Sequence, residues 1–132
     1  MEARAKKAHR ILAVQRQMHR IEEWKLAQLE QELANLEVSK RDLTNALNGD
    51  NALHGLFIDA MARYLRLLTE QTAGIGWQKR DQLPRLIGEA TRLKIAERTA
   101  RKIDLEVQRS DDLEALVDTI ESIVGRKTTS LR

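Results

Sequence analysis

The fold is decided by residues 22–47, which read EEWKLAQLEQELANLEVSKRDLTNAL. Apolar or long-stemmed residues recur in this stretch in alternating steps of 3 and 4, the spacing of a coiled-coil seam. A helix cannot bury such a narrow stripe against itself, so the pattern predicts a second long helix beside it. The seam positions are Leu26, Leu29, Leu33, Leu36, Lys40, Leu43 and Leu47.

Composition indicates an all-α protein with a thin core. The chain has 132 residues, of which 33% are charged and only 3% are aromatic. It contains no cysteine, which excludes disulfides and thiolate metal sites. No stretch approaches the ~18 apolar residues of a membrane span, and the early apolar run at 11–14 is too short for a signal peptide. We therefore expect one helical domain over residues 1–132, in the cytoplasm, either free or peripheral to the membrane face.

Glycine and proline divide the chain into three predicted helices. Gly49, Gly74 and Gly125 suit the ends of helices, and Pro84 is tolerated in a first helical turn. The first and third helices are long, and the second lies in the connection between them. The predicted bounds are 5–48, 52–73 and 81–124, followed by a disordered tail over 125–132.

Three further rows of apolar residues predict how these helices are buried. The first helix begins with a row that is offset by one residue from the leucine seam. The third helix has a row with acidic residues at two of its places, and this row becomes apolar again near its end. The rows are Ile11, Val14, Met18 and Ile21; Leu83, Leu86, Ala90, Leu93, Glu97, Ala100, Asp104 and Val107; and Leu113, Val117, Ile120 and Val124.

Alternating blocks of charge predict the orientation of the two long helices. Antiparallel pairing sets each block beside one of opposite sign, whereas parallel pairing sets like charges together. We therefore expect an elongated antiparallel two-helix coiled-coil hairpin, with Leu33 near residues 90–100 and Val14 near residues 113–124. The net charges are +5 over 1–20, −4 over 21–50, +4 over 77–109 and −2 over 110–132.

The middle helix is apolar over a wider arc than a two-stranded seam requires. It either packs in a small three-helix cluster or keeps part of its surface for a partner. Trp24 and Trp77 lie off the seams, and we expect them at a seam edge or near the bend. The apolar row of the middle helix is Phe57, Met61, Tyr64 and Leu68.

The sequence lacks the patterns that carry catalysis or cofactor binding. His9, His19 and His54 have no metal-ligand spacing. The acidic cluster at 111–114 is typical of a solvated helix face, and no glycine-rich phosphate loop is present. The basic residues of 92–109 are interleaved with acids and lack aromatic residues that could stack on bases. We therefore expect a non-enzyme without cofactor, metal or nucleic acid.

The layout resembles the FliJ-like family of flagellar type III export and its stalk counterparts in injectisomes. The resemblance covers about residues 5–124. It rests on Phe57-Ile58 at the start of the middle helix and on a basic-rich long helix carrying Ala96-Glu97-Arg98, Glu106 and Arg109-Ser110-Asp111. Members of the family are small basic antiparallel hairpins that resemble the central stalk of rotary ATPases.

The resemblance implies a non-enzymatic stalk and escort protein, flagellar or injectisomal. Its expected partners are an export ATPase ring, the membrane protein of the export gate and export chaperones. Ser39 and Leu43 stand where relatives carry aromatic residues, which is a departure from the family pattern. The expected gate-binding residues are Leu36, Leu43, Phe57, Met61, Tyr64 and Leu68, and the expected ring contacts at the basic end are Lys6, Lys7 and Arg10.

Two alternatives stay open at this point. The chain could be a free coiled-coil chaperone or structural adaptor that has no ATPase partner. The six expected gate-binding residues could instead pack only the helices of the chain itself, and the basic end could serve only solubility.

Overall fold

A computed structural model describes residues 2–49 and 54–130, which form two long helices that pack against each other. Helix α1 runs over Glu2–Leu47, and helix α2 runs over His54–Ser130. The described residues contain no β-strand. The prediction of an all-α chain is confirmed.

Helix α1 matches the first predicted helix closely. Neither glycine nor proline interrupts it, and its end lies one residue before the predicted end at 48. The Asn48 amide donates to the Thr44 carbonyl at 3.1 Å, and the Gly49 amide donates to the Ala46 carbonyl at 3.2 Å. The second bond spans three residues, so the last turn tightens as helix ends commonly do.

The predicted break between residues 73 and 81 is wrong, because α2 continues through it. Gly74 and Gly76 are helical, and a glycine costs a helix only about 1 kcal/mol relative to alanine. Pro84 also lies inside the helix and removes one backbone hydrogen bond. Pro84 and Arg80 are both exposed, so solvent can satisfy the Arg80 carbonyl that the proline leaves without its helical donor.

The predicted disordered tail is also wrong where the structure describes it. Helix α2 passes Gly125 with no positive φ angle among the described glycines and ends at Ser130. A glycine without a left-handed conformation does not terminate a helix. The predicted start of the middle helix at residue 52 and the last two residues of the predicted tail, 131 and 132, lie outside the described residues.

The contacts divide the chain into two compact units. Unit 1 combines Met1–Gln17 with Thr91–Arg132, and unit 2 is Met18–Ala90. Each unit therefore contains a part of α1 and a part of α2.

Unit 1 has a core of small and branched side chains. Ala8 and Leu12 of α1 pack with Ala96, Ala100 and Ile103 of α2, and all five are buried. Alanine at three of these places lets the two helix axes approach closely. At the edge of the core, Arg4 pairs with Glu106 at 3.3 Å and His9 contacts Asp104 at 2.9 Å.

Unit 2 confirms the leucine seam. All seven predicted seam residues between Leu26 and Leu47 are half-buried, and the residues around them are exposed. The facing residues of α2 also recur in steps of 4 and 3, including straight through Gly74–Gly76 and Pro84. They are Met61, Leu65, Leu68, Thr72, Ile75, Lys79, Gln82, Leu86 and Glu89.

The predicted register between the helices is wrong in both units. Glu30 pairs with Lys79 at 3.6 Å, and the neighbours of Leu33 share a groove with residues 71–78 rather than 90–100. Residues 8–15 lie against residues 92–103, so Val14 is not beside residues 113–124. The cause is the missing break, because residues 54–90 belong to α2 and pair directly with α1.

The offset apolar row at the start of α1 is not a seam. Ile11, Val14, Met18 and Ile21 are each exposed. The buried and half-buried positions instead continue the heptad spacing of the leucine seam toward the start of α1. Several of these positions hold polar residues, so polar side chains lie in the helix contact. These positions are Ala5, Ala8, Leu12 and Gln15 in unit 1, and His19 and Glu22 in unit 2.

The predicted row of the third helix is half correct. Four residues of the row lie in the helix contact as predicted: Leu86, Leu93, Ala100 and Val107. At each of the other four positions, the residue in the contact is the one just before the predicted residue. Gln82, Glu89, Ala96 and Ile103 are buried in place of Leu83, Ala90, Glu97 and Asp104. Because of this shift, Glu97 and Asp104 lie outside the core of unit 1, and Glu89 is buried in the helix contact of unit 2.

Candidate partner-binding surfaces

An exposed apolar strip runs along α2 in unit 2. Phe57, Ala60, Tyr64 and Leu67 recur in steps of 3, 4 and 3 and are all exposed. Phe57 keeps 55% of its surface open to solvent and Tyr64 keeps 51%. Large aromatic side chains on an open helix face are typical of protein-binding sites. We call these four residues the outer strip.

The structure separates the six residues expected to bind the gate. Phe57 and Tyr64 belong to the outer strip, whereas Leu68 is only 3% exposed and packs in the seam. Met61, Leu36 and Leu43 are half-buried seam residues. Only Phe57 and Tyr64 among the six therefore present most of a large apolar surface to a partner. Ala60 and Leu67 form a second apolar row beside the row of Phe57 and Tyr64, and that row is the sequence signal for the outer strip.

Ser39 and Leu36 border a groove between the helices of unit 2. The groove is lined on the α2 side by Gln71, Gly74 and Ile75. Gly74 contributes no side chain, and a Cβ atom there would meet nothing within 4 Å. The groove is therefore open at Gly74, a residue that the sequence analysis predicts as a helix end.

Both tryptophans are largely exposed, and Trp24 lines a groove that also includes the seam residues Leu29 and Gln82. Trp24 keeps 63% of its surface accessible and Trp77 keeps 64%. The guanidinium carbon of Arg80 lies 5.0 Å from the centre of the Trp77 ring, within the range of a cation–π contact. Unit 2 thus presents exposed aromatic side chains beyond the outer strip.

A polar link crosses the helix contact of unit 2. The Gln82 amide donates to the Glu22 carboxylate and also to the Glu22 backbone carbonyl, the latter at 3.1 Å. The hydrogen bond from Gln82 is the main cause that holds the pKa of Glu22 below its ordinary value, and Lys25 at 3.3 Å adds to it, while burial opposes it. This link satisfies polar groups inside the seam, as buried polar groups require.

The basic residues expected to touch the ATPase ring lie in unit 1 and are all exposed. Lys6 and Arg10 border a groove that Val107 also lines. Lys7 borders a different groove, together with Ile11 and others. The three cations are therefore divided between two surfaces of the same helix pair.

The last part of α2 in unit 1 forms a third surface that sequence reasoning had placed in a seam. Every residue of 111–127 is exposed, and we call this segment the arm. Its large apolar residues include Leu113, Leu116, Val117, Ile120 and Ile123, which are 47% to 61% exposed. The spacing correctly predicted an apolar helix face, but the predicted burial against α1 is wrong, because residues 8–15 of α1 lie against residues 92–103 instead.

The described residues offer neither a membrane span nor a metal site. Neither α1 nor α2, as far as each is described, holds a stretch apolar enough to cross a bilayer. In the same residues, no three histidine or acidic side chains are grouped as metal ligands.

Comparison with known proteins adds no relative from which a role could be transferred. No protein-family model, curated protein or solved structure gave a significant match to this chain.

Proposed function

We propose that this chain is a non-enzymatic stalk and escort protein of a flagellar or related type III export apparatus, built as an antiparallel coiled-coil hairpin. The order of the contacts supports this orientation. As the residue number increases along α1, the residue number of its contact partner in α2 decreases. Within unit 1, Arg4 pairs with Glu106 and His9 with Asp104. Within unit 2, Glu22 contacts Gln82 and Glu30 pairs with Lys79.

The observation that carries the proposal is the contrast between two exposed surfaces. One is the apolar outer strip of Phe57, Ala60, Tyr64 and Leu67. The other is a basic helix end, where residues 2–17 carry five basic side chains and one acidic one. A protein that links two different partners needs two such chemically different surfaces, and the resemblance to the FliJ-like family suggests which partners they are.

In this proposal the basic end contacts an export ATPase ring, and the outer strip contacts the membrane protein of the export gate or an export chaperone. The protein performs no chemistry. It acts by contacting successive ring subunits differently, since only a difference in contact between ring states can shift their equilibrium. The ring contact is partly electrostatic and should weaken as salt rises.

The test mixes the full chain with the export ATPase of the same organism and measures ring assembly and ATP hydrolysis. Neutralising Lys6, Lys7 and Arg10 together should reduce stimulation while helicity stays unchanged. A matched control neutralises the exposed pair Arg63 and Arg66 of unit 2 and should leave stimulation intact. Absence of both binding and stimulation at low salt would favour a free coiled-coil chaperone or adaptor instead.

A second test addresses the outer strip. Phe57→Ala combined with Tyr64→Ala should weaken capture of the cytoplasmic part of the export-gate protein, whereas Val38→Ala at another exposed site of unit 2 should not. Helicity should be unchanged in both variants. If the double variant instead unfolds the protein, the two aromatic residues serve the fold and the gate assignment is wrong.

A further inference from the structure

We infer that two copies of this chain associate, with the arm of each copy seated in a groove of the other. The groove lies between α1 and α2 in unit 1. Its floor is formed by Ala8 and Ile11 of α1 and by Ile95 and Ala96 of α2. This inference concerns unit 1 alone and does not rest on the proposed export function.

The arm has the properties of a helix that binds through one face. Helical periodicity of about 100° per residue places Leu113, Leu116, Val117, Ile120 and Ile123 within roughly 120° of arc. All five side chains are about half exposed or more. An apolar stripe of this width is what a helix normally buries against a neighbour, and exposing it in water is unfavourable.

The groove offers a complementary apolar floor. Ile95 is 57% exposed and Ile11 is 48% exposed, although both adjoin the buried core residues Ala8 and Ala96. A helix laid along this groove would cover both isoleucines and extend the existing core outward. The side chains that line the groove include no acidic residue, and three basic residues, Arg4, Lys7 and Arg92, stand among them.

Charge matches the arm to this groove. The arm carries five acidic residues and two basic ones, a net charge of −3. Residues 91–110 of α2 carry six basic and three acidic residues, a net charge of +3, and residues 2–17 of α1 carry a net charge of +4. An acidic amphipathic helix therefore meets a groove with basic sides, which favours the encounter and fixes its orientation.

The arm that fills the groove must come from a second copy. Ile95 and Ile120 lie on the same continuous helix, about 38 Å apart at 1.5 Å per residue, so the arm cannot fold back onto its own groove. Pairing of two arms with each other is disfavoured, because an antiparallel pair would bring Glu114 of one copy opposite Glu121 of the other.

A two-fold axis near Gln108 would seat the arm of each copy in the groove of the other at the same time. Two α2 helices that run antiparallel about this point would place Ile120 of one copy beside Ala96 of the other, and the reverse. In this register Arg98 and Lys102 of one copy lie at the same level along the helix axis as Asp118 and Glu114 of the other. Such a contact is isologous and closed, and it uses each surface twice.

The experiment is sedimentation velocity of the full chain over a range of concentrations and salt. We expect a monomer–dimer equilibrium that shifts toward monomer as salt rises. Ile120→Asp should weaken the dimer by tenfold or more, since it places a charge in the centre of the contact. Val38→Asp is the matched control, because Val38 is similarly exposed but lies in unit 2, and it should leave the dimer unchanged.

Charge reversal tests the partner surfaces directly. Glu114→Lys with Glu121→Lys should weaken the dimer, and so should Lys7→Glu with Arg98→Glu. Mixing these two double variants should give opposite charges at both arm–groove contacts, because the unchanged arm meets the unchanged groove and the reversed arm meets the reversed groove. The mixture should therefore associate more strongly than either variant alone. Equal weakness of the mixture and of its components would contradict the assigned contact.

Cysteine cross-linking tests the register, and the chain contains no native cysteine. A chain with both Ile95→Cys and Ile120→Cys should form disulfide-linked dimers on mild oxidation, because the two sites are too far apart to join within one helix. Rapid dimerisation of the Ile120→Cys single variant would show that the arms pair with each other, which overturns the inference. A chain that stays monomeric at its highest soluble concentration overturns it as well.

Discussion

Residues 93–107 and residues 113–124 of α2 carry the same kind of apolar spacing, yet only the first stretch is buried. Ala96, Ala100 and Ile103 are less than 9% exposed, whereas Leu113 and Ile120 are 61% and 50% exposed. Both stretches are helical and both belong to unit 1. Periodic spacing therefore identifies a helix face that avoids water, whereas burial of that face depends on which segment lies beside it.

The largest effect should come from placing a charge in each stretch. Ile103→Asp buries a carboxylate without a partner and should destabilise unit 1 by at least about 3 kcal/mol. Ile120→Asp should change the stability of the monomer by less than about 0.5 kcal/mol. Thermal unfolding followed by far-ultraviolet circular dichroism at low concentration measures both. Equal losses would mean that the arm is buried within the monomer.

Removing methyl groups gives a milder form of the same contrast. Leu12→Ala deletes a buried side chain of the unit 1 core and should cost about 2–5 kcal/mol. Leu116→Ala deletes an exposed one and should cost no more than about 0.5 kcal/mol. Urea unfolding at a concentration that keeps the chain monomeric separates the two. A negligible cost for Leu12→Ala would argue against the core assigned to unit 1.

Gly125 allows the helical state of the arm to be tested. If α2 continues through this position, Gly125→Ala should stabilise the local helix by up to about 1 kcal/mol. A Cβ atom at Gly125 would meet nothing within 4 Å. Slower amide hydrogen exchange over residues 118–127 would record the gain, and faster exchange would indicate that Gly125 ends the helix.

Gly49 provides the control for that substitution. It follows the end of α1, and a Cβ atom there would lie 3.2 Å from the Ala46 carbonyl oxygen. Gly49→Ala should therefore give no comparable stabilisation, because the added atom crowds the backbone.

The smallest effect concerns a polar part of the seam and depends on pH. Glu22 accepts the hydrogen bond from Gln82 as a carboxylate, and this bond holds the pKa of Glu22 below the ordinary value of 4.5. Its contribution to stability is therefore present above about that value and is lost as the pH falls through the lowered pKa. Glu22→Gln should reduce the acid sensitivity of unfolding, measured by urea titration from neutral to acidic pH.

Glu37→Gln is the matched control for the pH series, since Glu37 is an exposed residue of α1 in the same unit. Its acid sensitivity should follow that of the unchanged chain. If Glu22→Gln and Glu37→Gln behave alike, the link to Gln82 does not contribute to pH dependence.

The sequence predicted the leucine seam correctly, because an unbroken alternation of 3 and 4 leaves one possible face. The sequence-based prediction was wrong where polar residues occupy the contact between the helices. Gln15, His19 and Glu22 continue the heptad phase of the leucines, while the nearby apolar residues Ile11 and Val14 are exposed. Continuity of the two packed helices outweighed the hydrophobicity of single positions.

The predicted register between α1 and α2 was wrong for a different reason. Gly74, Gly76 and Pro84 suggested a break, and each does weaken a helix. Helix α2 nevertheless keeps its seam through Ile75, Lys79 and Gln82. Contact with α1 along the seam compensates for local costs of a few kcal/mol, and that contact cannot be read from local signals. Of the expected binding residues, Phe57 and Tyr64 were separable from the seam only once this register was known.

The division into two units has a spectroscopic consequence. Trp24, Phe57, Tyr64 and Trp77 are the aromatic residues of the chain, and all four lie in unit 2. Intrinsic fluorescence therefore reports on unit 2 alone, whereas circular dichroism averages over both units. Fluorescence and dichroism melting curves that coincide would mean that the two units unfold as one cooperative system. Curves that separate would assign the fluorescence transition to unit 2 and the remaining dichroism change to unit 1.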